Sequence, residues 1–378
     1  MKRMLASAIS VSFLLTACGN DSEESVNKTE ESSDEKQNNS NKQQSDSDEK
    51  KSNDEESKGM ETVVDGLNTP WSIEKMDNTF YLTERPGKIV KIEGNQKTDQ
   101  KVNLDEKIAT AAEAGLLGFV LAPDFKESNE AYAYYTYEGN EGQFNRIVKL
   151  KLDGDSWEEE EVLLDKIPSG DFHHGGRLKI GPDDKLYATT GDAANDEIAQ
   201  DKDSLGGKIL RLNLDGSKPK DNAFSNSYVY SYGHRNPQGL VWSSDNKLYA
   251  SEHGDLANDE INDIKKGENY GWPVIEGNEE KDGMVSPLFT SGADETWAPS
   301  GLAYHDGKIY SAALRGEAVL EFDTKNDKVK KVITDHGRIR DVMIEGETLY
   351  FISNNSDGRG NPSDNDDKLY KIPLNQLK

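Results

Sequence analysis

From Gly59 onward, apolar and polar residues alternate in short runs broken by Gly, Asp and Asn, the pattern of strands with one buried and one solvated face. One run recurs: a polar turn, then a strand with a central Tyr. It stands at Asn78-Thr79-Phe80-Tyr81-Leu82-Thr83, at Ala131-Tyr132-Ala133-Tyr134-Tyr135-Thr136 and at Asp184-Lys185-Leu186-Tyr187-Ala188-Thr189. It returns around Tyr249, Tyr310 and Tyr350, so that successive tyrosines are 53, 53, 62, 61 and 40 residues apart. A second strand type follows several copies, as in Gly87-Lys88-Ile89-Val90-Lys91-Ile92 and Gly207-Lys208-Ile209-Leu210-Arg211-Leu212. Long helical patterns are missing. Short strands repeating at this period predict an all-β chain folded as a six-bladed β-propeller. A β-helix or a pair of sandwiches would leave six similar units unexplained. The strand Lys368-Leu369-Tyr370-Lys371-Ile372 is expected to close the ring against the first blade.

The N-terminus has a different pattern. Lys2 and Arg3 precede an apolar run from Leu5 to Ala17, ending in Leu15-Thr16-Ala17-Cys18. This reads as a secretory signal peptide, and its thirteen-residue apolar run falls short of the roughly 20 that span a bilayer. Cys18, the single cysteine, stands where the bacterial lipoprotein box carries its lipidated residue. An ordinary signal peptide that happens to contain a cysteine is the alternative. With one cysteine there is no intramolecular disulfide. Residues 19–58 hold no aromatic side chain and carry thirteen Asp and Glu against six Lys, the composition of a disordered tether. The expected organisation is therefore a signal segment over 1–18, a linker over 19–58 and one domain over 59–378. Such a chain would be exported and held at the outer face of the cell membrane through its lipid alone.

Of the formal charge of −26, the signal contributes +2 and the linker −7, which leaves −21 on the folded region. That sign repels phosphate backbones and argues against nucleic acid as a partner.

Against this acidic background, a few loops concentrate other chemistry. Phe172-His173-His174-Gly175-Gly176-Arg177 places imidazoles beside flexible glycines, leading to the strand that ends Thr190-Gly191-Asp192. A structural histidine or adventitious metal binding would also fit the His pair alone. Tyr232-Gly233-His234-Arg235-Asn236-Pro237 is followed by Ser251-Glu252-His253-Gly254-Asp255, by Asn258-Asp259-Glu260 and by Asn269-Tyr270-Gly271-Trp272-Pro273. The carboxylates and turn carbonyls there suit a hard cation such as Ca²⁺, though a solvated acidic turn looks similar. Arg315, Arg338 and Arg340 add forked cations; Arg338 and Arg340, two apart, would share one face of a strand. Their guanidiniums suit a ligand with several carboxylates, or else surface pairs with Asp341 and its neighbours. No G-x-G-x-x-G stands between a strand and a helix, so a Rossmann nicotinamide site is not supported.

In order, these motifs resemble the PQQ-dependent glucose/sorbosone dehydrogenase family. The resemblance begins at Gly66-Leu67-Asn68-Thr69-Pro70-Trp71 and Thr83-Glu84-Arg85-Pro86-Gly87, continues through Gly115-Leu116-Leu117-Gly118, and covers about the whole domain. It implies an enzyme that oxidises an aldose at C1 to its lactone, using pyrroloquinoline quinone (PQQ) and Ca²⁺ and an external electron acceptor. It implies His173 as general base and Arg235 as the cation that polarises the quinone carbonyl. Asn236, Arg315, Arg338 and Arg340 match positions that hold PQQ. Gly254 and Asp255 match a turn whose main-chain carbonyls bind the cofactor's calcium, and Glu260 and Tyr270 a second, structural calcium site. Three positions depart from the glucose enzyme's pattern: Phe172 stands for an acid, Glu113 for a sugar-binding glutamine, and Ala193 for a cofactor-contacting glutamine. The competing readings are a calcium-dependent propeller lactonase and a non-catalytic lipoprotein that binds glycan or protein.

Overall fold

A computed structural model describes residues 59–377; Cys18, the signal segment and the linker over 19–58 lie outside them. Among the described residues helix is confined to the single turns Phe125–Ser128 and Glu197–Gln200 and a short 3-10 turn at Leu374–Gln376. Everything else that is regular is strand. The strands pair antiparallel in chain order as four-stranded meanders. The first comprises Pro70–Met76, Thr79–Glu84, Lys88–Glu93 and Gln96–Asn103, and the second Leu116–Leu121, Glu130–Gly139, Gly142–Asp153 and Ser156–Pro168. The third runs Leu178–Ile180, Lys185–Thr190, Lys208–Asn213 and Val229–Tyr232; the fourth runs Pro237–Trp242, Leu248–Glu252, Glu260–Ile264 and Phe289–Thr290. The fifth holds Pro299–His305, Lys308–Ala313, Ala318–Asp323 and Lys328–Ile333. The sixth contains Ile339–Glu345, Thr348–Ser353 and Leu369–Pro373, and takes its fourth strand, Glu61–Val64, from the start of the described chain. A short parallel pairing of Lys101–Asn103 with Ser156–Glu158 joins the first two meanders.

Each recurrent tyrosine sits in the second strand of its sheet, and five of the six are buried. The closing strand behaves differently from expectation. Leu369–Pro373 pairs with Glu61–Val64 inside the last sheet, rather than adding to the first. The contact with the first sheet is made by side chains: Ile352 and Leu369 pack with Ile73, Leu82 and Val90. The other core clusters likewise lie between consecutive sheets, one per junction, so burial runs around a closed ring.

The innermost strands are joined by side chains, since they belong to different sheets. Asp341 accepts from the Ile73 N–H at 2.9 Å and from Arg177 Nη1 at 2.9 Å, and Arg177 Nε donates to the Gln238 carbonyl at 2.9 Å. Close approach there depends on glycine. A Cβ on Gly118 would lie 2.1 Å from the Gly176 carbonyl oxygen, and one on Gly301 would lie 1.6 Å from Asp341 Oδ1. This arrangement brings the loop before each first strand and the loop after each second strand to one end of the ring.

Candidate active site

His173 lies in the loop leading to Leu178–Ile180. Its backbone is left-handed at φ 62°, followed by Gly175 at 65° and Gly176 at 97°. Gly191 makes this conformation possible, because a Cβ there would sit 1.8 Å from the His173 carbonyl oxygen. The imidazole Nδ1 lies 2.8 Å from Asp192 Oδ1. Asp192 is buried and further fixed by the Trp272 indole N–H, which donates to Oδ2 at 2.9 Å, and by the Ala194 N–H, which donates to Oδ1 at 2.9 Å. An ionised carboxylate accepts, so Nδ1 carries the proton and Nε2 is left with a free lone pair. His173 lines a cavity at the mouth with Phe172, Arg235, Asn236, Arg315 and Arg338. Asp192 and Trp272 were visible in sequence only as a strand end and an aromatic turn; the signal was a carboxylate two residues after a second strand.

His174 is no second base. Its ring is buried between Ser169 and Asn145, each 3.2 Å from Nδ1, and its Nε2 has no partner among the described residues. Burial pulls its pKa down to about 4. The variable member of the pair is thus part of the packing.

Arg235, Arg315, Arg338 and Arg340 line the two cavities of the mouth, with partners other than those the sequence suggested. Arg338 and Arg340 are both buried, and both face Asp357, at 2.7 and 3.9 Å. Neither is a surface cation, and Asp341 pairs with Arg177 instead. Arg340 Nη1 also donates to Gln238 Oε1 at 2.8 Å. Burial depresses Arg340 to about 9, opposed by Asp357 and reinforced by Arg338 and Arg85. A guanidinium keeps its proton, and here two buried guanidiniums share the single carboxylate of Asp357. Arg235 pairs through Nη2 with Asp255 Oδ1 at 3.0 Å and lies 5.3 Å from the Trp272 ring centroid, while its buried Nε has no partner among the described residues. Asn236 accepts from the Gly175 N–H at 3.0 Å, which ties the arginine loop to the histidine loop. Arg315 is exposed at the rim of the same cavity.

An adjoining cavity is lined by Trp71, Arg85, Gln238, Arg340 and Asp357, and Glu113, His253, Leu314 and Arg359 line both. Glu113 accepts from the His173 N–H at 3.3 Å and from Arg359 Nη1 at 2.6 Å. Burial would push its carboxyl up, but Arg359 outweighs that and holds it down at about 2, so it is ionised. Arg359 also lies 5.6 Å from the exposed Phe172 ring centroid. Asp357 and Arg359, on the loop after the last sheet's second strand, are site residues that the sequence did not single out.

Behind Arg235 is a small void lined by Glu252, Glu260, Glu276, Gly254, Asn258 and Tyr270. Glu260 accepts from Asn262 at 3.0 Å and from the Gly277 N–H at 2.9 Å; burial, with Glu252 beside it, pushes its carboxyl up to about 8. One carboxylate oxygen of Glu276 is buried without a partner among the described residues. Tyr270 bonds the Asp263 carbonyl at 2.6 Å and stacks on His234 at 4.8 Å. Among the described residues no group of three His, Cys, Asp or Glu side chains is arranged to hold a metal by side chains alone. The buried, mutually repelling carboxylates nevertheless fit a hard cation that also uses main-chain oxygens.

Fold and mouth together define a β-propeller protein whose axial loops present an oriented histidine among under-compensated arginines. Residues 67–368 match the family model described as glucose/sorbosone dehydrogenase, and the chain belongs to that family. Quinoprotein glucose dehydrogenase B of Acinetobacter calcoaceticus is 35% identical over 270 residues, 62% of this chain and 56% of that protein, so the chain spans little more than half of that relative. Aldose sugar dehydrogenase YliI of Escherichia coli strain K12 is 30% identical over 338 residues, 79% of this chain and 91% of that one. The PQQ-bound form of aldose sugar dehydrogenase from Streptomyces coelicolor superposes with a TM-score of 0.79 at 36% identity, covering 84% of this chain and 97% of that chain. The oxidoreductase class expected from the motif order is the class of these relatives.

Proposed function

We propose that this chain is a six-bladed quinoprotein that oxidises an aldose at C1 to its lactone, with PQQ and Ca²⁺, and passes the electrons to an external acceptor. The observation that carries the reading is the pairing of an Asp-oriented histidine with buried arginines that lack full anionic compensation. A planar ligand with several carboxylates would meet that demand, held by Arg338, Arg340, Arg315 and Asn236. Bound there, the quinone supplies a two-electron acceptor for the C1 hydride. His173 takes the C1 hydroxyl proton at Nε2, and Asp192 stabilises the imidazolium that forms. Arg235 offers its free N–H where negative charge grows. Ionised Glu113 accepts sugar hydroxyls as a carboxylate in place of an amide, which favours neutral sugars over anionic ones. Main-chain oxygens at Gly254 and Asp255, and the Glu260 and Tyr270 void, are the places for calcium. A lactonase would need carboxylates converging on an axial metal, where this mouth instead gathers guanidiniums.

The test is dye-linked oxidation of a panel of aldoses by the chain loaded with PQQ and Ca²⁺. Turnover of a neutral aldose, falling by about 10³-fold or more in His173→Ala, is the expected result; a loaded chain that oxidises none of them overturns the reading. We further propose that Cys18 carries the lipid that tethers the domain outside the cell, motivated by Leu15-Thr16-Ala17-Cys18. Labelled fatty acid should enter the wild type but not Cys18→Ser, and equal labelling would refute it.

A further inference from the structure

Lys208, the first residue of the third sheet's third strand, has no exposed surface. An ammonium out of water is costly unless each of its N–H bonds finds an acceptor. Three acceptors are supplied, and all are main-chain carbonyls: Ile198 at 2.8 Å, Ala199 at 3.0 Å and Gly206 at 2.5 Å. Burial draws the lysine down to about 7, with Asp201 opposing from a distance. Lys208 lines neither cavity of the mouth, and the chemistry proposed above does not use it.

The three carbonyls belong to the loop between Thr190 and Lys208. That loop starts at Gly191 and Asp192 and carries Gln200 at the end of its single helical turn. Gln200 Nε2 donates to the Trp272 carbonyl at 2.6 Å and to Asn269 Oδ1 at 3.0 Å, and Asn269 Nδ2 returns a bond to Gln200 Oε1 at 2.8 Å. The Ala199 carbonyl, already bonded to Lys208, also accepts from the Gly233 N–H at 2.9 Å. Trp272 in turn donates to Asp192, and Asp192 holds His173. Without the lysine the Gly206 carbonyl would lose its donor, and the carbonyls of Ile198 and Ala199, which also accept from the Asp201 and Gly233 N–H at 3.2 and 2.9 Å, would each lose a bond, so the loop would loosen.

We infer that Lys208 is a positioning residue for His173: its ammonium is a built-in cation in a carbonyl cage, fixing the loop that seats Trp272 against Asp192. The link to catalysis rests on the reading of His173 as the base. An apolar side chain would fill the same space, so the cation's presence is explained by the carbonyls and not by packing.

The test uses the chain without cofactor or sugar and follows solvent exchange of the Trp272 indole N–H by NMR, its signal assigned by Trp272→Phe. Lys208→Met keeps the length and volume and removes the donors. Exchange at Trp272 should accelerate by about 10-fold or more, while the indoles of Trp71, Trp157, Trp242 and Trp297 keep their rates. In Lys208→Ala, propylammonium should refill the cage and restore protection saturably, and the same concentration of propanol should not. If Lys208→Met fails to fold, Lys208→Ala refolded in propylammonium carries the test. In the loaded enzyme, kcat should fall about 10-fold in Lys208→Met with KM within about twofold. An unchanged Trp272 rate, a uniform rise at every indole, or rescue by propanol as good as by propylammonium would overturn the inference. If the exchange result holds and no sugar is oxidised, the positioning of Trp272 stands and the role of His173 falls.

Discussion

Asp192 determines which nitrogen of His173 is available, since its carboxylate sits 2.8 Å from Nδ1 and is itself held by Trp272. An Asn there keeps the shape but presents an amide that can hold the wrong tautomer. Asp192→Asn should therefore lower kcat by about 10²-fold or more with KM little changed; a variant with wild-type kcat would show that the carboxylate does not orient the base. His174 gives a pH prediction. Its pKa is about 4 in the fold, chiefly through burial, against an ordinary value of 6.5 in the unfolded chain. The fold binds fewer protons there, so the stability this residue contributes is present above pH 6.5 and is lost as pH falls towards 4, by about 3 kcal/mol. The groups around it are Glu113, Arg85, Asp171 and His173. Urea denaturation at pH 7 and pH 4.5 should show a smaller acid loss in His174→Gln than in the wild type, and equal losses would contradict the assignment. At this scale the sequence reveals residue types and hides partners. His173, Arg235, Arg338 and Arg340 are legible because imidazole and guanidinium are unusual in the loops of an acidic chain. Arg359 is not, because it meets Glu113 across 246 residues and no local pattern joins them.

Among the elements, the second strands were the most legible, because alternation and a buried tyrosine mark them together. The outermost strands were the least. Phe289–Thr290 is two residues long, and Val229–Tyr232 pairs through a register shift, so neither shows a period. Closure by Glu61–Val64 was hidden for another reason: its partner is the last strand of the chain, and strand pairing at that separation has no local signature. The first strands carry a stability prediction. Asp341→Ala would leave Arg177 buried without its carboxylate and the Ile73 N–H without an acceptor. The expected loss is about 3–5 kcal/mol by urea denaturation. A loss below about 1 kcal/mol would show that the innermost strands do not depend on this link.

Across the whole molecule, an acidic folded region of net charge −21 surrounds a mouth rich in arginine. The surface charge repels polyanions, while the local cations create a demand for one compact anion of the right shape. On the proposed reading, calcium would be drawn by the same acidic field to the void beside Arg235, where burial and Glu252 push the Glu260 carboxyl up and one Glu276 oxygen is buried without a partner among the described residues. The two charges of the site therefore make opposite demands, and a cofactor with carboxylates plus a divalent cation satisfies both. The measurement that tests this most directly is calorimetric titration of the chain with PQQ in the presence of Ca²⁺. The account predicts saturable binding of one PQQ per chain, weakened about 10²-fold or more in Arg340→Met. Absence of saturable binding with calcium present, or binding indifferent to Arg340→Met, would contradict it.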